Sequence, residues 1–140
     1  MKRKGMIGLC LLCLLNVAAI FEIYNYVEPE QFKGWLTAKK SMILVDIQDK
    51  PSFVAHHFPG SVETNAFPVE TEAERHRLDP AVAAAKKSGQ DVVVLCPRGG
   101  GGAKRAYDYL KAQGVPEKRL FILTGGVDKW PHRTMLEAAK

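Results

Sequence analysis

From Val92 to Ala103 the chain passes through an unbroken apolar run, Val92-Val93-Val94-Leu95, a cysteine, Pro97-Arg98, and four consecutive glycines, Gly99 to Gly102. Helical periodicity then resumes at Ala103, with Ala106, Tyr107 and Leu110 at i+3, i+4 and i+7. A strand, a thiol, a glycine loop and a helix in that order place Cys96 at the carboxyl end of a strand and at the mouth of a helix. Unpaired backbone N–H groups and the positive end of the helix dipole converge at such a place. It favours thiolate over thiol and holds an anion beside it.

The remainder of the chain repeats the alternation. Pro29 and Glu30 open a helix carrying Phe32, Trp35 and Leu36, preceded by a linker from Tyr24. Met42-Ile43-Leu44-Val45-Asp46 is a short apolar strand ending in a carboxylate, and its continuity calls for burial on both faces. Residues 51–56 read as one or two helical turns, Pro59-Gly60 as a turn, and 62–66 as extended. Asp79 is expected to cap a helix that begins at Pro80 and stops at Gly89. Asp91 to Leu95 is the central strand, Gly114 ends the following helix, and Leu120 to Leu123 is another buried strand. Thr124-Gly125-Gly126 turns the chain, with short helices expected at 127–130 and 135–140. The alternation predicts an α/β fold with a parallel sheet.

The chain has 140 residues and a formal net charge of +5. Lys2, Arg3 and Lys4 sit before a Leu-rich uncharged stretch reaching Phe21, the pattern of a targeting segment. Without them 17 basic residues face 15 acidic ones, so the charge is no nucleic-acid signature. Residues 1–27 are read as a signal peptide or an uncleaved N-terminal membrane anchor. Val17-Ala18-Ala19 offers a cleavage site; Ile23, Tyr24, Tyr26 and Val27 instead extend an anchor. Either way the domain, 28–140, is expected to be exported, periplasmic or anchored on the outer side of the membrane. Cys10 and Cys13 lie in the apolar stretch and read as membrane-facing residues, which leaves Cys96 as the domain's only cysteine. A lone thiol in an exported protein points to a reactive role.

Four segments carry a family resemblance. Ile43-Leu44-Val45-Asp46, then Phe53 through His57-Phe58-Pro59-Gly60-Ser61, then Cys96 with Gly99 and the closing Gly125-Gly126-Val127-Asp128-Lys129-Trp130 together resemble a single-domain rhodanese, of the sulfurtransferase family. The resemblance implies an open parallel sheet flanked by helices on both faces. It implies a thiosulfate sulfurtransferase-like enzyme: Cys96 attacks a sulfane sulfur, becomes a persulfide and passes the sulfur to a thiophilic acceptor. Arg98, Gly99, Gly100, Gly101 and Gly102 are the expected substrate-binding residues. Asp46, bonded to loop N–H groups, and His57, ordering the turn before Pro59, are expected to support them. Neither metal nor cofactor is expected, since His56 and His57 are adjacent and seldom share one ion. The implied partners are a small sulfur-containing anion or thiol acceptor and a redox or sulfur-carrier protein, with no nucleic acid, and the membrane through the N-terminal segment if it is uncleaved.

The sequence also departs from the family. Gly101 and Gly102 stand where a basic residue ordinarily closes the loop, leaving Arg98 as the nearest substitute, and Gln48 stands where an arginine ordinarily follows the strand aspartate. Longer loops of this superfamily resemble those of cell-cycle phosphatases and arsenate reductases, but those need an arginine at the loop's end. The alternative to an enzyme is a non-catalytic persulfide carrier or anion-binding module serving a partner protein.

Overall fold

The computed structural model of the protein describes residues 23–140; the targeting reading of residues 1–27 lies outside them except for 23–27. In chain order the elements are β1 (Tyr26–Val27), α1 (Pro29–Thr37), β2 (Met42–Asp46), α2 (Lys50–Ala55), β3 (Val62–Glu63), α3 (Glu72–His76), α4 (Asp79–Ser88), β4 (Asp91–Leu95), α5 (Gly101–Ala112) and β5 (Leu120–Leu123). All five strands are parallel, in the order β1-β5-β4-β2-β3. Among the described residues no helix is long and apolar enough to cross a membrane.

The apolar runs do what their composition requires. Successive side chains of β4 enter opposite layers: Val92 and Val94 face a core completed by α4 and α5, while Val93 and Leu95 face a second core. The first layer holds Ala81, Val82 and Ala85 of α4 and Ala103, Ala106, Tyr107 and Leu110 of α5. The second holds Phe32 of α1 with Phe58 and Trp130, whose rings meet edge to face at 5.1–5.6 Å. Helices therefore cover both faces, as expected.

Four local expectations need correction. The stretch from Tyr24, read as a linker, contributes β1, which pairs with β5, and Tyr24 packs edge to face on Tyr107. A two-residue strand carries too little periodicity to be seen in sequence. Asp79 is the first residue of α4 rather than its cap; Arg77 and Leu78 form a turn that keeps right-handed helical backbone angles, and Leu78 takes the cap position. The capped start lies earlier, where Thr71 and Glu74 form a capping box that opens α3. Residues 127–130 form turns, tied by Arg133 Nη1 to the Val127 carbonyl at 2.8 Å. The expected terminal helix is absent: after a 3-10 turn at Arg133–Met135, Glu137 and His57 exchange backbone hydrogen bonds of 2.9 and 3.0 Å. A six-residue helix is marginal by itself, and the cross-chain bridge outcompetes it.

Candidate functional site

Strand order decides where a ligand can sit. From β2 the chain moves outward to β3, and from β4 it moves the other way to β5, so the connections diverge between these neighbours. A crevice opens outside the carboxyl ends of strands at such a point. Asp46 and Leu95 are register partners there, and Cys96 follows directly.

Cys96 is 2% exposed. Its Sγ accepts the Gly99 N–H at 2.6 Å, and the N–H groups of Arg98 and Gly100 also act on it. The loop hangs from the turn after β5: Val127 N–H donates to the Cys96 carbonyl at 2.8 Å and Asp128 N–H to that of Pro97 at 3.0 Å. Gly126 makes this approach possible. Its φ is +64°, and a Cβ there would lie 2.3 Å from the Cys96 carbonyl oxygen. The four-glycine run is less uniform than its sequence implies. Only Gly99 takes a positive φ, while Gly101 and Gly102 are the first residues of α5. The cradle is thus Arg98 to Gly100, continued by the open first turn of a helix.

The electrostatics overturn one expectation. Burial pushes the Cys96 thiol above the ordinary cysteine value. The N–H groups of Gly99, Arg98 and Gly100 pull the other way without cancelling it, and the Asp46 carboxylate pushes it up further. The net effect favours the neutral thiol over a preformed thiolate. Asp46 is fully buried, and burial raises its pKa to about 6 against the hydrogen bonds it accepts from Gln48 N–H at 2.9 Å and Gln48 Nε2 at 3.0 Å. Both donors belong to the loop that leaves β2. Gln48 is neutral, so the carboxylate has no cation beside it at that position.

The cleft above Cys96 has a volume of about 540 Å³ and is lined by Asp49, Ser52, Phe67, Arg98, Gly100 to Gly102, Arg105 and Asp128. Arg98 is exposed, and among the described residues its side chain makes no ion pair. Arg105 donates from Nε to the Pro68 carbonyl at 3.0 Å and reaches Glu70 at 3.5 Å, overhanging Gly101. Lys104 turns away, 5.5 Å above the Tyr24 ring. Phe67, Ser52, Asp49 and Asp128 were missed by sequence reasoning. Asp128 lies within the Gly-Gly motif that fastens the loop, and that was the one signal available.

His57 does not reach the cleft. Its ring stacks on Phe53 at 4.1 Å, its Nδ1 is 2.8 Å from the Phe53 carbonyl, and its Nε2 is 3.3 Å from Glu137. It ties α2 to the C-terminal segment, and its charge, when present, lowers the Asp46 pKa. Among the described residues no three His, Cys, Asp or Glu side chains converge as a metal site.

Comparison with known proteins places this geometry. The rhodanese-like domain family model matches residues 28–132. No curated protein matches the chain. Among solved structures, a rhodanese-like domain protein from Staphylococcus aureus is 18% identical, with a TM-score of 0.62, covering 83% of this chain and 99% of its own. A thiosulfate sulfurtransferase from Pseudomonas aeruginosa is 18% identical (TM-score 0.58), covering 84% of this chain and 20% of its own. The As-Sb reductase of Leishmania major is 20% identical (TM-score 0.55), covering 79% and 78%. At these identities the likeness is one of fold.

Proposed function

The chain belongs to the rhodanese-like domain family, and we propose that within it this protein transfers sulfane sulfur through a persulfide on Cys96. The observation that carries this reading is the sulfur's own environment: a buried thiol accepting a backbone N–H at 2.6 Å, at the floor of an open cleft. Backbone donors aimed at one sulfur stabilise the thiolate before transfer and the terminal sulfur of a persulfide after it. The thiol first loses its proton to solvent through the cleft. The thiolate then bonds to the outer sulfur of the donor; with thiosulfate the donor S–S bond breaks and sulfite leaves with the electron pair. An acceptor thiolate or cyanide takes the outer sulfur and returns Cys96 to its starting state.

Oxyanion chemistry of the reductase or phosphatase kind fits less well. The site contains no arginine at the end of the cysteine loop, where Gly101 and Gly102 stand. A carrier role is supported by one observation, the upward shift of the thiol, which leaves little thiolate for rapid turnover at neutral pH.

The test is thiocyanate formation from thiosulfate and cyanide by the full-length protein, with Cys96→Ser as control. Steady turnover that the serine variant lacks supports the enzyme. A single stoichiometric discharge without turnover supports the carrier. Turnover retained by Cys96→Ser contradicts both.

A further inference from the structure

Phe67 is the sole aromatic side chain lining the cleft among the described residues, and it remains 40% exposed. Its ring lies against the first turn of α5, where a Cβ on Gly102 would come within 2.8 Å of a ring carbon. Glycine at 102 therefore makes room for the ring beside the cysteine loop.

The backbone that presents Phe67 is held from several directions. Phe67 N–H donates to the Ile47 carbonyl at 2.8 Å, Val69 N–H to the Ala66 carbonyl at 2.8 Å, and Arg105 to Pro68 at 3.0 Å. Asn65 and Val69 flank the segment with φ of +54° and +61°. A β-branched residue at positive φ is costly, and such positions cluster where a side chain must be aimed. A strained, tethered segment that leaves an aromatic ring facing an open cleft serves the cleft rather than the core.

The charges around the ring narrow what it meets. Arg98 offers a cation that makes no ion pair among the described residues, Arg105 is drawn to the Pro68 carbonyl and to Glu70, and Asp49 and Asp128 bring two carboxylates to the same cleft. A small dianion meets both signs and leaves the aromatic wall unused. A monoanion with an apolar body satisfies Arg98 and covers the ring.

We infer that the preferred sulfur donor carries its sulfane sulfur on an apolar organic group, and that Phe67 is the wall against which that group packs. This rests on the sulfur-transfer reading above and adds the substrate class to it. With an organic thiosulfonate the balance is complete. The Cys96 thiolate forms a bond to the outer sulfur of R–SO2–S⁻, the donor S–S bond breaks, and the sulfinate R–SO2⁻ leaves with the electron pair.

The experiment compares benzenethiosulfonate with methanethiosulfonate as donors to the full-length wild type, Phe67→Ala and Phe67→Leu, reading kcat/KM for each. The intrinsic reactivity of the two donors cancels when the ratio is compared between proteins. The expected result is a ratio favouring the aromatic donor that falls about tenfold in Phe67→Ala and recovers in part in Phe67→Leu. A ratio unchanged by Phe67→Ala, in protein whose thermal midpoint shows it folded, overturns the inference and leaves sulfur transfer standing. Failure of wild type to take sulfur from either donor or from thiosulfate overturns the sulfur-transfer reading and this inference with it.

Discussion

At the scale of single residues the site is a contest between burial and hydrogen bonding, and burial wins at both Cys96 and Asp46. Three backbone N–H groups act on the Cys96 sulfur, yet desolvation and the nearby carboxylate keep its thiol above the ordinary range. Alkylation of Cys96 by iodoacetamide is therefore expected to accelerate with pH beyond the point where an exposed cysteine has levelled off. Asp46→Asn removes a negative charge from beside the thiol, so its profile is expected to move to lower pH. A coincident profile for the two proteins contradicts the assigned role of the Asp46 charge. The residues that sequence reasoning named and those it missed divide along physical lines. Cys96 was legible because strand, thiol and glycine loop are contiguous. Phe67 and Ser52 reach the cleft from segments 29 and 44 positions before Cys96 with no periodic mark of their own. The direction of the thiol shift was unreadable for a related reason: the loop is local, whereas burial is supplied by the whole fold.

At the scale of elements the cysteine loop is not self-supporting. It is suspended from the turn after β5, and Gly126 is the point of closest approach. Gly126→Ala places a methyl group on the Cys96 carbonyl and a side chain at positive φ, so a loss of about 3 kcal/mol or more in urea unfolding is expected. Gly100→Ala is the control, since a Cβ there meets nothing within 4 Å; equal losses in the two variants contradict the suspension. The Gly125-Gly126 pair was visible in sequence as a turn, but its task of holding a loop almost 30 residues earlier became apparent only from the parallel pairing of β4 with β5. The same pairing logic explains why β2, β4 and β5 were legible as continuous apolar runs while β1 was not. The C-terminal segment failed for the opposite reason: its local helical preference was real but weak, and the backbone of His57 offered a better partner.

At the scale of the whole molecule, placing a carboxylate at the carboxyl end of a buried strand costs stability. Asp46 titrates at about 6 in the fold against an ordinary 3.8, so ionising it inside the domain costs of order 3 kcal/mol. Because the folded pKa is raised, this group's contribution is most favourable below pH 4 and is lost as pH rises through about 6. The stability difference between wild type and Asp46→Asn is accordingly expected to shift by up to about 3 kcal/mol between pH 4 and pH 8, in favour of the asparagine variant at the higher pH. A difference independent of pH across that window contradicts the buried titration. The neutral Gln48 offsets part of this cost with two hydrogen bonds but brings no positive charge to the carboxylate.

The central claim is that sulfur resides on Cys96, and mass spectrometry tests it most directly. Full-length protein exposed to thiosulfate or polysulfide is digested under non-reducing conditions, and the added sulfur is mapped to a peptide, because Cys10 and Cys13 are also present. The expected result is one extra sulfur on the peptide containing Cys96, discharged by cyanide and absent from Cys96→Ser. Sulfur that never appears on that peptide, or that the serine variant accumulates equally, contradicts the persulfide.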